Sequence, residues 1–278
     1  MSLPAAPAIR YGDHPDQVAN LHLPAIGGGA WPCVVLIHGG FWRERWDRTL
    51  MTALARDLAA RGLAAWNIEY RRVGQPGGGW PGTLADVAAA VDHLATLEEI
   101  DAARVATCGH SAGGQLALWA AGRRLLPPGA VGAAPRIVPR AAVSQAGVAD
   151  LEAGAVAGLG AGAVQELLGG EPAELRERYA VASPAALLPL GVPQLLVHGD
   201  ADDIVPPAQS ENYADIATAA GDDVTVRVLA GVDHFAVVEP GAPAWRLAAD
   251  WLGVQLTNDL QSDSNSAISQ TCDIARRA

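Results

Sequence analysis

The 278-residue chain is half apolar, enough to bury a large core in one α/β domain without help from disulfides or metals. Its formal charge of −11 and pI near 5.0 repel phosphate backbones and anionic bilayers, so neither nucleic acid nor membrane is expected as a partner. All 19 basic residues are arginine, which excludes Schiff-base, pyridoxal-phosphate and P-loop chemistry built on a lysine.

Cys33, Cys108 and Cys272 are odd in number and far apart, and the first two fall in apolar runs, so they read as small hydrophobes. The N-terminus lacks a basic region followed by an uninterrupted apolar stretch, and no window approaches the roughly 18 apolar residues of a membrane span. A cytoplasmic location is expected.

Residues 8–11 and 17–23, joined by Gly12-Asp13-His14-Pro15, predict an antiparallel edge hairpin that carries His14 and His22 as structural residues. Cys33-Val-Val-Leu-Ile37 is an unbroken apolar run, the pattern of a strand covered on both faces. It ends in His38-Gly39-Gly40-Phe41-Trp42, where a glycine pair lets backbone N–H groups approach a ligand. Phe41, Trp42 and Trp46 are placed along a cleft, although Trp46 also fits ordinary packing.

Thr49 to Gly62 has apolar residues at 50, 51, 54 and 58 and stops at glycine, predicting an amphipathic helix. Leu63 to Tyr70 is the next strand, and helix returning to strand implies a right-handed crossover in a parallel sheet. Arg71 to Gly82 is too glycine-rich for regular structure, and Trp80 there is either a cleft wall or a packing anchor. Thr83 to Leu97 predicts a helix with Thr83 as N-cap and Asp86 in a capping-box position.

Arg104 to Gly122 then reads as strand, sharp turn and apolar helix, with Gly109-His110-Ser111-Ala112-Gly113 at the turn. This is the G-x-S-x-G nucleophile elbow, in which glycines flank a strained serine and the helix N-terminus faces the site of a developing oxyanion. Residues 141–146 form a further strand. Between Asp150 and Leu188 the periodicity weakens, and an inserted helical cap of about residues 150–188 is expected over the cleft. Pro193 to His198 is a buried strand that runs into Gly199-Asp200-Ala201-Asp202-Asp203, so three carboxylates compete as the acid that orients a base. A helix over 207–220 and a strand over 224–229 follow. His234 then sits in a glycine-containing loop, free to swing toward the elbow. A helix over 242–252 closes a catalytic domain of residues 1–254, and the polar segment 255–278 is expected to be disordered.

Serine, acid and histidine in successive post-strand loops follow the α/β-hydrolase chain order. Residues 8–254 resemble an α/β-hydrolase. His38-Gly39-Gly40-Phe41-Trp42, Gly109 to Gly114, His198-Gly199-x-x-Asp202-x-x-Val205-Pro206 and His234-Phe235 resemble kynurenine formamidases and related small esterases. Phe41 stands where lipase-like relatives carry a third glycine, a departure from lipase-type specificity.

The resemblance implies a mostly parallel central sheet with helices on both faces, and a Ser111-His234-Asp202 triad. It places an oxyanion hole on the N–H groups of Gly40, Phe41 and Ala112, with His38 bracing the loop. It implies a small ester or amide substrate, N-formylkynurenine being the best single name, with a promiscuous short-chain carboxylesterase or peptidase-like hydrolase as the alternative and a non-catalytic ligand receptor as a further one. Trp42, Tyr70 and Trp80 are the expected substrate contacts. The chemistry needs no cofactor and no metal, and a homodimer through an edge strand or the cap stays open.

Overall fold

The computed structural model describes residues 6–257. Eight strands form one sheet in the order β1-β2-β4-β3-β5-β6-β7-β8. They span Ala8–Arg10 (β1), Val18–His22 (β2), Trp31–Ile37 (β3), Ala64–Ile68 (β4), Ile100–His110 (β5), Ala142–Gln145 (β6), Gln194–Gly199 (β7) and Val224–Leu229 (β8). Strands β1 and β2 pair antiparallel at one edge, β2 meets β4 antiparallel, and every other pairing is parallel.

The sheet is covered on both faces, and β3, β4, β6 and β7 are buried along almost their whole length. In β3, Cys33, Val35 and Ile37 point into one core and Val34 and Leu36 into the other, the period-2 alternation of a strand. One face carries α1 (Thr52–Ala60) and α8 (Pro243–Thr257), through Leu54, Leu58, Trp245 and Leu252. The other carries α2 (Gly82–His93), α3 (Ala112–Gly122) and α7 (Ala208–Ala219), through Val87, Leu116, Trp119 and Tyr213. Trp66, Trp119 and Trp245 are fully enclosed, and truncating one to alanine costs about 3–5 kcal/mol.

Three local expectations need correction. The helix expected from Thr49 begins with a 3-10 turn at Arg48–Met51, because the Asp47 carboxylate accepts from the Thr49 N–H at 2.8 Å and caps that turn instead. Thr83 does not cap α2. Its hydroxyl donates to the Arg71 carbonyl at 2.6 Å, while Asp86 takes a two-pronged pair from the Arg71 guanidinium at 2.8 and 2.7 Å and a bond from Gln17 at 2.7 Å. Long-range partners outcompeted the local cap. The closing helix α8 runs to Thr257, past the expected boundary at 254, and the rest of the expected tail lies outside the described residues.

Between β6 and β7 lie α4 (Leu151–Val156), α5 (Ala163–Leu168) and α6 (Arg176–Ala182), the segment expected to be a cap. The indole N–H of Trp119 donates to the Val181 carbonyl at 2.9 Å, and the Gln115 amide to the Ala182 carbonyl at 2.9 Å, so α6 is tied to α3. The α5 end is tied to the glycine-rich loop by the Trp80 N–H bond to the Leu167 carbonyl at 2.7 Å. No helix among the described residues is long and apolar enough to cross a membrane.

Candidate active site

The loops after β3, β5, β7 and β8 open on the same edge of the sheet, the carboxyl end where doubly wound folds bind ligands. Ser111 stands between β5 and α3 at φ 55° and ψ −121°, a backbone region that costs an L-residue on the order of 1–3 kcal/mol. The surroundings hold it there. Its N–H donates to the Gln145 carbonyl at 2.8 Å and its carbonyl accepts from Gly114 at 2.8 Å. A Cβ on Gly109 would lie 1.9 Å from the Gly113 carbonyl oxygen, and one on Gly113 would lie 2.1 Å from the Ile37 carbonyl oxygen. Both glycines are therefore demanded by close backbone approach.

His234 Nδ1–H donates to Asp202 Oδ2 at 2.7 Å, and both residues are buried. Asp202 Oδ1 accepts from the N–H groups of Ile204 and Val205, each at 2.9 Å, while His198 Nε2 lies 3.1 Å from Oδ2. Burial alone would raise the Asp202 carboxyl. The hydrogen bonds from His198, His234 and the two amides outweigh it and hold the carboxyl well below the usual carboxylate range. Of the three competing acids, Asp200 accepts instead from the Gly231 N–H at 2.6 Å and Asp203 is exposed.

The imidazole of His234 lies 4.7 Å, centroid to centroid, from that of His110, the residue before Ser111. The hydrogen bonds of Ser111 among the described residues are those of its backbone, and its hydroxyl is not bonded to His234. His110 Nε2–H donates to the His234 carbonyl at 2.8 Å, and its Nδ1 is buried without a partner. Burial, followed by the neighbouring His234, pushes the His110 imidazole down to about 3, so the ring is neutral and its Nε2–H tautomer is set by the carbonyl it meets.

The His234 loop is fastened rather than free to swing, contrary to the expectation from its glycine. Besides the His110 bond, the Gln145 amide donates to the Val237 carbonyl, and the Asp233 carboxylate accepts from the N–H groups of Phe235 and Ala236 at 2.9 and 2.8 Å.

Gly40, Phe41 and Trp42 take φ of 114°, 51° and 55°, and the Arg43 N–H closes the turn onto the Gly40 carbonyl at 3.0 Å. Positive φ at both central residues is the pattern of a type I′ turn, which favours Asn-Gly rather than two aromatics. Burial of Trp42 compensates the strain. Its side chain is fully enclosed and its indole N–H donates to Gln115 at 3.0 Å. The N–H groups of Gly40, Phe41 and Ala112 donate to no protein acceptor among the described residues. A Cβ on Gly39 would lie 2.9 Å from Ser111 Cβ, so this loop abuts the elbow. His38 stacks on Tyr70 at 4.4 Å and bonds Glu69 at 2.8 Å, bracing the loop from below.

Two of the expected substrate contacts need correction. Trp42 and Tyr70 are enclosed, and the Tyr70 hydroxyl is spent on the His38 carbonyl at 2.8 Å. Trp80 is half-buried beside Arg178, whose guanidinium lies 5.8 Å over its ring, at a separate cavity shared with Pro81 and Val131. Trp42 and Tyr70 are packing residues because they are enclosed and their polar atoms already have protein partners. His198 has no role in the sequence reading, because only the closed turn after β7 brings its Nε2 to Asp202.

Together these features define an α/β-hydrolase fold with a serine-type hydrolytic site. The BD-FAE family model matches residues 19–216, and the chain belongs to that family, making it a serine ester hydrolase of the α/β-hydrolase type. An uncharacterized protein of Mycobacterium tuberculosis is 31% identical over 220 residues, 78% of this chain and 68% of the relative. Among solved structures, a truncated carbohydrate esterase from gut microbiota superposes with a TM-score of 0.78 at 20% identity, covering 92% of this chain and 97% of the other. A thermophilic esterase from Thermogutta terrifontis with propionate bound gives 0.72 at 21% identity over 92% and 94%. An acetyl ester-xyloside bifunctional hydrolase from Caldicellulosiruptor lactoaceticus gives 0.71 at 19% over 90% and 97%.

Proposed function

We propose that the chain is a short-chain carboxylesterase working through Ser111, His234 and Asp202. The observation that carries this reading is the strained Ser111 at the head of α3, one residue after a His110 bonded to the His234 carbonyl, with His234 Nδ1–H held by Asp202 at 2.7 Å. His234 Nε2 takes the Ser111 proton as the hydroxyl attacks the acyl carbon, and Asp202 stabilises the imidazolium. The tetrahedral oxyanion lies against the amides of Gly40, Phe41 and Ala112, each worth about 2.7–4 kcal/mol in the transition state. His234 returns the proton to the leaving alcohol, and water repeats the sequence on the acyl-enzyme to release the acid.

The esterase reading is better supported than arylformamidase activity. Family membership and the similarity to esterase structures favour it, while the enclosure of Trp42 and Tyr70 removes two of the aromatic contacts that suited N-formylkynurenine. Segment 150–188 acts in this reading as the cap, since Phe41 meets Gly160 and Arg43 pairs with Glu166 at 2.7 Å. The test is a hydrolysis series of 4-nitrophenyl esters of increasing acyl length beside N-formylkynurenine, with Ser111→Ala as control. The expected result is highest kcat/KM on acetate to butyrate, abolished in Ser111→Ala. Turnover confined to N-formylkynurenine supports the formamidase reading instead.

A further inference from the structure

Ten large apolar side chains are exposed among the described residues, and the aromatic ones in that set are Trp46 and Phe235, at 36% and 40%. They come from distant parts of the chain, yet their rings stand 5.8 Å apart at 34°. Trp46 sits on the proposed oxyanion loop, since a Cβ on Gly40 would meet its indole at 2.5 Å. Phe235 follows His234, and its ring lies 5.4 Å from the imidazole, edge-on at 86°. One ring therefore touches the amide-bearing loop and the other touches the proposed base.

We propose that Trp46 and Phe235 form a stacking platform for the alcohol half of the ester, which carries a flat ring face, aryl or pyranose; the proposal rests on the Ser111-His234-Asp202 reading. The side of the site follows from the proton. The leaving oxygen takes it from His234, so the alkoxy half must lie on the His234 side, where Phe235 stands. Phe41, on the same loop, is instead met by Gly160 of the inserted segment. Two aromatic faces suit a ring because face and edge contacts between rings stabilise beyond burial alone. The Arg45 guanidinium, 5.8 Å over the Trp46 ring, adds donors at the rim for the oxygens of a hydroxylated ring.

The test holds the acyl group at acetyl and varies the alcohol. kcat/KM is measured for phenyl acetate, a mono-O-acetylated methyl xylopyranoside and ethyl acetate, in the wild type, Trp46→Leu and Phe235→Leu. The readout is the ratio of each ring substrate to ethyl acetate. A fall of about tenfold in that ratio in either variant, restored by Trp46→Tyr or Phe235→Tyr, supports the platform. A fall for the xyloside alone identifies the ring as a sugar, and a fall for phenyl acetate alone as an aryl group. Unchanged ratios in both leucine variants, or equal loss on all three substrates, overturn it. Failure of the underlying triad is separately visible, as ester hydrolysis that survives Ser111→Ala.

Discussion

His110 Nε2–H donates to the His234 carbonyl at 2.8 Å, so the residue preceding the proposed nucleophile grips the proposed base by its main chain. One segment thus presents the hydroxyl and sets the position of the imidazole that must reach it. Losing this bond strands a buried carbonyl, at a cost of about 1–3 kcal/mol. His110→Ala should lower kcat on 4-nitrophenyl acetate about tenfold with KM little changed, and His110→Gln, which keeps a donor, should recover part of it. Steady-state kinetics of the two variants checks this.

The same imidazole makes stability depend on pH. Its folded-state value of about 3 lies below the ordinary 6.5, so between these values the unfolded chain binds a proton that the native protein refuses. The contribution is complete above about pH 6.5 and is lost as pH falls toward 3, with a slope of up to about 1.4 kcal/mol per unit. Asp202, also depressed, adds in the same direction below about pH 3.9. The drop in urea midpoint from pH 7 to pH 4.5 should therefore be smaller in His110→Gln than in the wild type.

Asp202 accepts four hydrogen-bonding contacts and the exposed Asp203 makes none of them. Asp202→Asn should reduce kcat by about 10⁴-fold through loss of the correct imidazole tautomer. Asp203→Asn should stay within about twofold. Parallel kcat measurements decide the ranking, and the reverse order moves the acid by one residue.

Two glycines in different settings predict opposite outcomes from the same substitution. Gly109→Ala puts a Cβ 1.9 Å from a backbone oxygen and should cost about 3 kcal/mol or more, or prevent soluble expression. Gly253→Ala, within α8 and with nothing inside 4 Å of its Cβ, should stabilise by about 0.5–1 kcal/mol. Urea denaturation of both reports the contrast.

Much of this was legible in the sequence because its signals are local. Cys33 to Ile37 is apolar at every position and became β3, and the elbow glycines specify the turn around Ser111. The neighbourhood of Asp202 was readable only through a motif, since three adjacent carboxylates have identical chemistry until the loop is folded. Trp42 and Tyr70 were misread because aromatic character gives no direction: both side chains point into the core, where Gln115 and the His38 carbonyl satisfy them. Thr83 and Asp86 look like a helix cap until Arg71 arrives from a preceding loop. The pairing of His198 with Asp202 depends on how one tight turn closes, which composition does not encode.

The central claim is that Ser111 carries the acyl group. Treating the intact protein with a fluorophosphonate and mapping the adduct by peptide mass spectrometry tests it directly. The account predicts one stoichiometric adduct, on Ser111, strongly slowed in His234→Ala. An adduct on another residue, or none while esters are still hydrolysed, contradicts it.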